Sequence, residues 1–182
     1  MNMKSAPITL YYSEIETRFG TVLLVARDEG LAGCYFVGQK YMPIQTPYWR
    51  HEPQHPVLQN AARQLQAYAD GTLRKFDLPL AFAHGTEFQQ RVWRCLAAIP
   101  YGETITYAEV ARRMGSPSSV RAVAAAIGRN PISVIVPCHR VLGSDGSLTG
   151  YAGGLDRKRV LLDLEQGKSQ LRQSVRPDLF SQ

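Results

Sequence analysis

The stretch Ser133-Val134-Ile135-Val136-Pro137-Cys138-His139-Arg140-Val141 determines how the rest of the chain is organised. Its β-branched residues predict a buried strand over residues 133–136. Pro137 cannot donate a hydrogen bond to a sheet, so the backbone must leave the sheet at that point. The pattern therefore places Cys138 and His139 at the end of a strand.

The Cys138-His139 pair has the residue types of a nucleophile and its base. A thiol is a good nucleophile only as thiolate, and a histidine within reach, directly or through one water, can take its proton. Adjacent residues of an extended chain point to opposite faces, so the chain must turn or a water must bridge the pair, and we expect the water. The alternative is that Cys138 is a small buried hydrophobe and His139 a hydrogen-bonded core residue.

Composition indicates a folded protein without a membrane span. A chain of 182 residues can bury the core of one domain or two small ones. It is 45% hydrophobic and 20% charged, and no run approaches the ~18 apolar residues of a membrane helix. The start lacks the apolar region of a signal peptide, so we expect a cytoplasmic protein. The three cysteines form no close pair, which argues against a disulfide framework and a cysteine-rich zinc site.

The net charge of +6 is concentrated in the second half of the chain. Residues 84–170 carry 11 Lys/Arg and 7 Asp/Glu, whereas residues 1–83 carry 8 and 7. A basic surface is typical of proteins with a polyanionic partner, nucleic acid first, although some basic proteins have no such partner.

The first half has the pattern of a small sheet with one helix. Residues 8–12, 21–26 and 31–36 predict three short strands of an antiparallel meander. Residues 57–69 have helical spacing and should pack on that meander. Residues 76–80 form a last strand-like piece.

Between these elements, residues 39–56 contain four prolines and no periodicity, so we predict a loop. His51 and His55 lie in this segment. The flanking prolines forbid the helix that would bring both histidines to one metal, so we expect surface residues.

The second half predicts helices. Thr86 is a candidate cap for a helix that closes at residues 100–102. Thr106 opens a helix over residues 107–114, residues 115–117 break it, and Ser118 or Ser119 caps a second helix that reaches Arg129. Helix, short glycine-containing turn and helix is the spacing of a helix-turn-helix, and an ordinary helical hairpin is the alternative.

The second of these helices has few side chains that could recognise a base sequence. Arg121 and Arg129 are its charged residues, and residues 122–127 between them are alanine, valine and isoleucine. Such a helix suits close approach to a nucleic acid backbone or a minor groove without sequence specificity. The alternative is an alanine-rich helix buried in a core.

After the Cys-His pair, residues 143–147 predict a turn, and residues 149–154 predict a loop whose glycines allow close approach to a ligand. Residues 155–166 return to helical spacing, with Lys158 and Glu165 available to face the site.

Taken with Asn130-Pro131, the Arg121-Ala122-Val123 helix and Gly150-Tyr151-Ala152-Gly153-Gly154-Leu155, the motif Pro137-Cys138-His139-Arg140-Val141 resembles the O6-alkylguanine-DNA alkyltransferases, also named methylated-DNA–protein-cysteine methyltransferases. The resemblance is specific over about residues 86–166 and looser before them. It implies a monomeric DNA repair protein of the stand-alone type, without metal or cofactor. Its substrate would be O6-alkylguanine in double-stranded DNA, with O4-alkylthymine as an alternative, and the alkyl group would pass irreversibly to its own cysteine.

The resemblance also implies residue roles. Cys138 is the nucleophile, His139 the water-bridged base, Glu165 its orienting carboxylate, and Tyr107 the group that presses on the target phosphate and donates towards the leaving guanine. The predicted DNA contacts are Arg121, Ala122, Tyr107, Ser119 and Arg129, and the predicted substrate pocket is Asn130, Val141, Tyr151, Ala152 and Lys158. Arg121 would fill the gap left by the flipped base. Ala152 stands where some relatives have a serine, so only its backbone N–H can help at O6.

Three other functions use some of these features. A cysteine hydrolase would form an acyl-enzyme released by water, a lesion binder would be expected to lack the reactive cysteine, and a transcription regulator should carry base-reading side chains on the second helix. The alanine-rich helix-turn-helix together with Cys138 favours the alkyltransferase.

The expected fold is α+β, with a small amino-terminal antiparallel sheet and helix followed by a helical carboxy-terminal domain that contains the helix-turn-helix. We place an amino-terminal domain at residues 1–83, a catalytic and DNA-binding domain at residues 84–170, and a polar tail at residues 171–182.

Overall fold

The computed structural model describes residues 8–168, and the predicted polar tail lies outside this range. Within these residues no helix is long and apolar enough to cross a membrane. The fold is α+β as predicted, with a four-stranded sheet and one helix in the first half and four helices in the second.

The meander of the first half is confirmed. It consists of β1 (Leu10–Thr17), β2 (Gly20–Arg27) and β3 (Gly30–Phe36), which pair antiparallel in sequence order. β1 runs five residues past the predicted end at residue 12, because the hairpin turn lies only at residues 18–19. Gly20, with φ +107°, begins β2 at a backbone conformation that glycine adopts most readily.

The predicted loop over residues 39–56 contains a strand, which corrects that prediction. β4 (Trp49–His51) pairs parallel with the start of β1 and completes the sheet order β3-β2-β1-β4. The prolines flank this short edge strand and do not interrupt it, which is where a sheet tolerates them. His51 is an exposed residue of β4, and His55 is half-buried with its ring stacked on Tyr11 at 4.5 Å. The predicted strand-like piece at 76–80 makes a single bridge to β3.

Helix α1 (Pro56–Ala69) packs on the sheet as predicted. It buries Leu58, Ala61, Leu65 and Tyr68 completely or nearly so. These side chains belong to one hydrophobic cluster that continues into the helices of the second half, so both halves of the chain share a core.

The helices of the second half are α2 (Glu87–Ala97), α3 (Tyr107–Arg113), α4 (Val120–Gly128) and α5 (Leu155–Glu165). The predicted caps of the first two are confirmed: the side chain of Thr86 accepts from Gln89 N at 3.2 Å, and that of Thr106 accepts from Glu109 N at 3.1 Å. The predicted cap of α4 is confirmed in position, at Ser119, but not in its hydrogen bond. Residues Pro117–Ser119 form a 3₁₀ turn, and Ser119 precedes α4 without a capping side-chain hydrogen bond.

Helices α3 and α4 form the predicted helix-turn-helix. Ala111 is fully buried in α3, and its carbonyl accepts from Ser116 N at 3.0 Å where the chain turns. One face of α4 is buried, and the other exposes Arg121, Ala122, Ala125 and Arg129. A wholly buried helix is therefore excluded.

The predicted strand over residues 133–136 is wrong. A single parallel bridge joins β3 to this segment. In it, Cys34 N donates to Pro131 O at 2.9 Å, and Ser133 N donates to Cys34 O at 2.8 Å. The side chain of Asn130 then bonds Ile132 N at 3.0 Å and Val136 O at 2.8 Å, which closes the chain into a turn. We call residues 130–140 the active-site loop. It ends in a 3₁₀ turn, Cys138–Arg140, followed by β6 (Val141–Leu142), which pairs with β5 (Ile105–Thr106).

Candidate active site

Cys138 begins the 3₁₀ turn that follows Pro137, and only 5% of its surface is exposed. Its Sγ accepts a hydrogen bond from Asn130 Nδ2 at 3.1 Å. Burial raises the pKa of the Cys138 thiol, while the Asn130 hydrogen bond and the charge of Lys158 act in the opposite direction. The thiol is thus held in a site that favours the neutral form but is equipped to stabilise a thiolate.

His139 is fully buried beside this thiol, with its Nε2 at 2.7 Å from Glu165 Oε1. Burial lowers the pKa of His139, so the neutral imidazole is favoured. Its proton is on Nε2, which donates a hydrogen bond to Glu165 Oε1. Within residues 8–168, nothing hydrogen-bonds to the buried Nδ1. Nδ1 therefore carries a free lone pair and is the atom able to accept a proton. The chain turns at Cys138, yet the two side chains make no direct hydrogen bond there, so the water bridge stays a prediction.

Glu165, near the end of α5, accepts hydrogen bonds at both oxygens. The side chain of Arg140 donates to Oε2 at 2.9 Å and to Oε1 at 2.9 Å, Tyr68 OH donates to Oε1 at 2.6 Å, and Gly102 N donates to Oε2 at 3.1 Å. Burial alone would raise the pKa of Glu165, but hydrogen bonds from His139 and Arg140 outweigh it and hold the pKa well below its usual range. The carboxylate is therefore ionised and fixed in orientation.

Lys158 lies behind the thiol on α5, with no exposed surface. Its Nζ donates to Val141 O at 2.6 Å and to Thr149 O at 2.8 Å. Burial lowers the pKa of Lys158 to about 8, so it still carries a positive charge at neutral pH. The lysine ties β6 to the glycine-containing loop and places a charge near Sγ.

A cavity of about 650 Å³ is lined by Thr149, whose carbonyl accepts from Lys158, and Cys138 is not among its lining residues. Four of the predicted site residues line it: Tyr107, Arg121, Tyr151 and Ala152. Tyr107 OH donates to Thr149 O at 2.8 Å, and burial raises the pKa of its phenol, which keeps the proton. The predicted pocket residues Asn130, Val141 and Lys158 are buried behind this lining.

The predicted DNA contacts lie around α3 and α4. Arg121, Ala122 and Arg129 are exposed, whereas Ser119 and Tyr107 are half-buried. The guanidinium of Arg129 lies 4.6 Å from the centre of the Tyr41 ring, which belongs to the first half of the chain. These residues share one side of the molecule with the mouth of the cavity, since Arg121 and Tyr41 both line it.

Three contributors to the site are not predictable from the motif alone. Arg140 forms an ion pair with Glu165. Its place directly after Cys138-His139 was a signal in the sequence, since an arginine buried at such a site needs a carboxylate partner. Tyr68 and the Lys40-Tyr41 segment come from the first half. The sequence pattern places Tyr68 on a helix face and Lys40-Tyr41 in a loop, and it indicates no contact of either with the site. Among residues 8–168, no group of three His, Cys, Asp or Glu side chains is placed to hold a metal ion.

Comparisons with known proteins show the family to which the chain belongs. The chain matches the family model described as 6-O-methylguanine DNA methyltransferase, DNA binding domain, over residues 87–167. It matches the ribonuclease-like domain of the same family over residues 10–82.

Individual relatives match over most of their length. The methylated-DNA–protein-cysteine methyltransferase of Methanosarcina barkeri is 49% identical over 158 residues, which cover 86% of this chain and 98% of the relative. That of Mycolicibacterium paratuberculosis is 47% identical, over 87% and 93% of the two chains. The crystal structure of Mycobacterium tuberculosis OGT in complex with DNA is 42% identical with a TM-score of 0.80, over 88% of this chain and 96% of that one. The chain therefore belongs to the 6-O-methylguanine DNA methyltransferase family.

Proposed function

We propose that the chain repairs O6-alkylguanine in double-stranded DNA by transferring the alkyl group to Sγ of Cys138, once per molecule. The observation that carries this proposal is the Asn130, Cys138, His139 and Glu165 arrangement. It offers a hydrogen-bond donor to the sulfur and a buried imidazole whose free nitrogen is Nδ1. Membership of the family supports the same reaction.

In this mechanism the Cys138 proton passes through a bridging water to His139 Nδ1. Glu165 holds the Nε2 proton of the imidazole and stabilises the imidazolium that forms. Asn130 Nδ2 and the charge of Lys158 stabilise the thiolate against the effect of burial. The thiolate is thus formed where it is used, and it does not accumulate in contact with solvent.

The thiolate attacks the alkyl carbon, so the S–C bond forms as the C–O6 bond breaks. Tyr107 donates its phenolic proton towards the leaving guanine, which departs neutral, and solvent later returns the proton of His139 to Tyr107. Tyr107 can take this role because its O–H is at the cavity wall and now donates to the Thr149 carbonyl, from which it can turn to the base. No tetrahedral intermediate arises at a saturated carbon, so an oxyanion hole is not required.

The target base must leave the duplex, because Cys138 is only 5% exposed. The cavity of about 650 Å³ receives it, with Tyr151 and the backbone at Ala152 as walls, and O4-alkylthymine is the alternative base for the same site. Arg121, at the start of α4 and at the edge of the cavity, takes the place of the base in the stack. Unstacking costs a few kcal/mol, which this insertion offsets.

The remaining DNA contacts are with the backbone. Ala122 makes the surface of α4 smooth, and Ser119, Arg129 and Tyr107 flank it, so the helix can enter the minor groove with little dependence on sequence. The protein works as a monomer, since the site is complete within one chain. Its cysteines are free thiols, which fits a reducing compartment such as the cytoplasm.

The proposal is tested by intact-mass measurement after incubation with an excess of duplex DNA containing O6-methylguanine. We expect a gain of one methylene per protein, on the peptide that holds Cys138, and a plateau in methyl groups removed at one per active molecule. Cys138→Ala should abolish the gain, and Cys95→Ala, which changes a partly exposed thiol, should leave it intact. An adduct on Cys34 or Cys95, or removal that continues past the plateau, contradicts the proposal.

A further inference from the structure

A tyrosine from the first half of the chain reaches the catalytic carboxylate. Tyr68 is the penultimate residue of α1, 97 positions before Glu165, and none of its surface is exposed. Its OH donates to Glu165 Oε1 at 2.6 Å, the same oxygen that lies 2.7 Å from His139 Nε2. The OH also lies 3.4 Å from that nitrogen, so hydroxyl, carboxylate and imidazole meet at one point.

The ring and the hydroxyl of Tyr68 have separable surroundings. The ring packs against Phe76 at 5.3 Å, Tyr101 at 6.0 Å and Phe19 at 6.4 Å between centroids, and a phenylalanine would keep these contacts. The hydroxyl points away from them to a carboxylate. Burial and the charge of Glu165 raise the pKa of Tyr68, so the phenol stays protonated and always donates.

We propose that Tyr68 is a positioning residue of the transfer reaction: its hydroxyl holds Glu165 Oε1 against His139 Nε2 and limits the basicity of the imidazole. The inference rests on the proposed function, in which His139 accepts the Cys138 proton. It assigns to the first half of the chain an indirect part in the chemistry, through a hydrogen bond to the carboxylate that holds His139.

The direction of the effect follows from the sharing of Oε1. A donor on this oxygen withdraws negative charge that would otherwise stabilise the His139 imidazolium. Without the hydroxyl, Oε1 binds the Nε2 proton more strongly, and the pKa of His139 rises. Arg140 remains on both oxygens, so Glu165 stays ionised in either case. Other titratable or charged groups also surround this cluster. They are Arg18, Asp70, Arg74, Tyr101, Cys138, Tyr151 and Lys158.

The test is the pH profile of single-turnover methyl transfer for wild type and Tyr68→Phe. We expect the midpoint of the acid limb to move up by about half to one pH unit and the rate above the limb to rise roughly three- to tenfold, because a more basic imidazole takes the Cys138 proton more readily. Well below the limb, where His139 is already protonated in both proteins, the two rates should agree. Tyr35→Phe is the matched control, because it removes a buried tyrosine hydroxyl from the other face of the sheet and should leave the profile unchanged.

A second measurement does not depend on transfer. In wild-type protein, NMR signals of Tyr68 should titrate together with those of His139, and in Tyr68→Phe the His139 midpoint should be higher. Superimposable profiles, an equal loss of rate at every pH, or a Tyr68 signal that ignores the titration of His139 overturns the inference. If wild-type protein shows no methyl group on Cys138, the proposed function itself fails, and the NMR titration still decides whether Tyr68 sets the pKa of His139.

Discussion

Asn130 both stabilises the thiolate and supports the active-site loop, and its substitution tests the two contributions in separate measurements. Its Nδ2 donates to Cys138 Sγ at 3.1 Å and to Val136 O at 2.8 Å, and its Oδ1 accepts from Ile132 N at 3.0 Å. Asn130→Ala removes these three bonds and a longer one from Nδ2 to Ile132 O at 3.4 Å, in a residue that is 4% exposed. We expect the variant to lose both stability and reactivity, by amounts that these contacts allow to be worked out separately.

The two backbone partners set the loss of stability. Val136 O keeps a second donor, Cys138 N at 2.8 Å, so the bond lost there contributes about 1 kcal/mol, whereas Ile132 N is left without a partner at a cost of about 1–3 kcal/mol. The free energy of unfolding should therefore fall by about 2–4 kcal/mol. The bond to sulfur sets the loss of reactivity. A hydrogen bond to a charged group contributes about 1.5–3 kcal/mol, so its loss raises the pKa of the Cys138 thiol and destabilises the thiolate by about that amount.

At neutral pH the transfer rate of Asn130→Ala should therefore be about 10- to 100-fold below wild type, because each loss of about 1.4 kcal/mol of thiolate stabilisation lowers the thiolate fraction tenfold. The assay is rapid-quench single turnover on duplex DNA, followed by intact mass, across a pH series. The deficit should narrow as pH rises and the thiolate is recovered. Ser133→Ala is the control, since Ser133 is buried in the same loop and its Oγ lies near Gln39. A deficit that stays constant with pH would refute the reasoning.

Two further predictions concern base flipping by Arg121 and the contribution of Glu165 to stability at low pH. Arg121→Ala should slow repair of duplex DNA far more than reaction with free O6-benzylguanine, which needs no flipping; equal losses in the two rate measurements would remove Arg121 from the flipping step. Glu165 has a folded pKa held below its usual range, so its contribution to stability is fully present above the unfolded pKa of about 4.3 and is lost as pH falls below it. Glu165→Gln leaves Arg140 buried without its charged partner, and unfolding at pH 7 should show a loss of about 3–5 kcal/mol that shrinks at about pH 3. A loss of equal size at both pH values contradicts this assignment.

The parts of the fold that depend on local chemistry were predictable. Thr86 and Thr106 begin helices because a threonine side chain can accept from the backbone three residues on, which is a local property. The strands of the meander follow from alternation and turn residues. The predicted strand over 133–136 failed because the side chain of Asn130 competes for the backbone groups of that segment. β4 was missed because its partner in β1 is distant in sequence.

The site divides in the same way. Cys138, His139 and Glu165 were predicted from a motif and a resemblance, and the structure brings His139 and Glu165 within 2.7 Å. Their assigned roles, like the domain boundaries at residues 83 and 170, stay predictions. Tyr68 could not be identified from sequence, since helical spacing indicates only that a tyrosine is buried and not which carboxylate its hydroxyl meets across the core.

The bridge between β3 and the active-site loop restricts the motion of that loop. Cys34 bonds the loop at both Pro131 and Ser133, so the loop cannot swing open without breaking the edge of the sheet. An enzyme that turns over needs mobile segments to release its product. A protein whose product stays bound as a thioether has no such step on the protein side and only has to let the base and the DNA depart. A rigid cradle around Cys138, anchored in the opposite half of the chain, is therefore compatible with a molecule that reacts once.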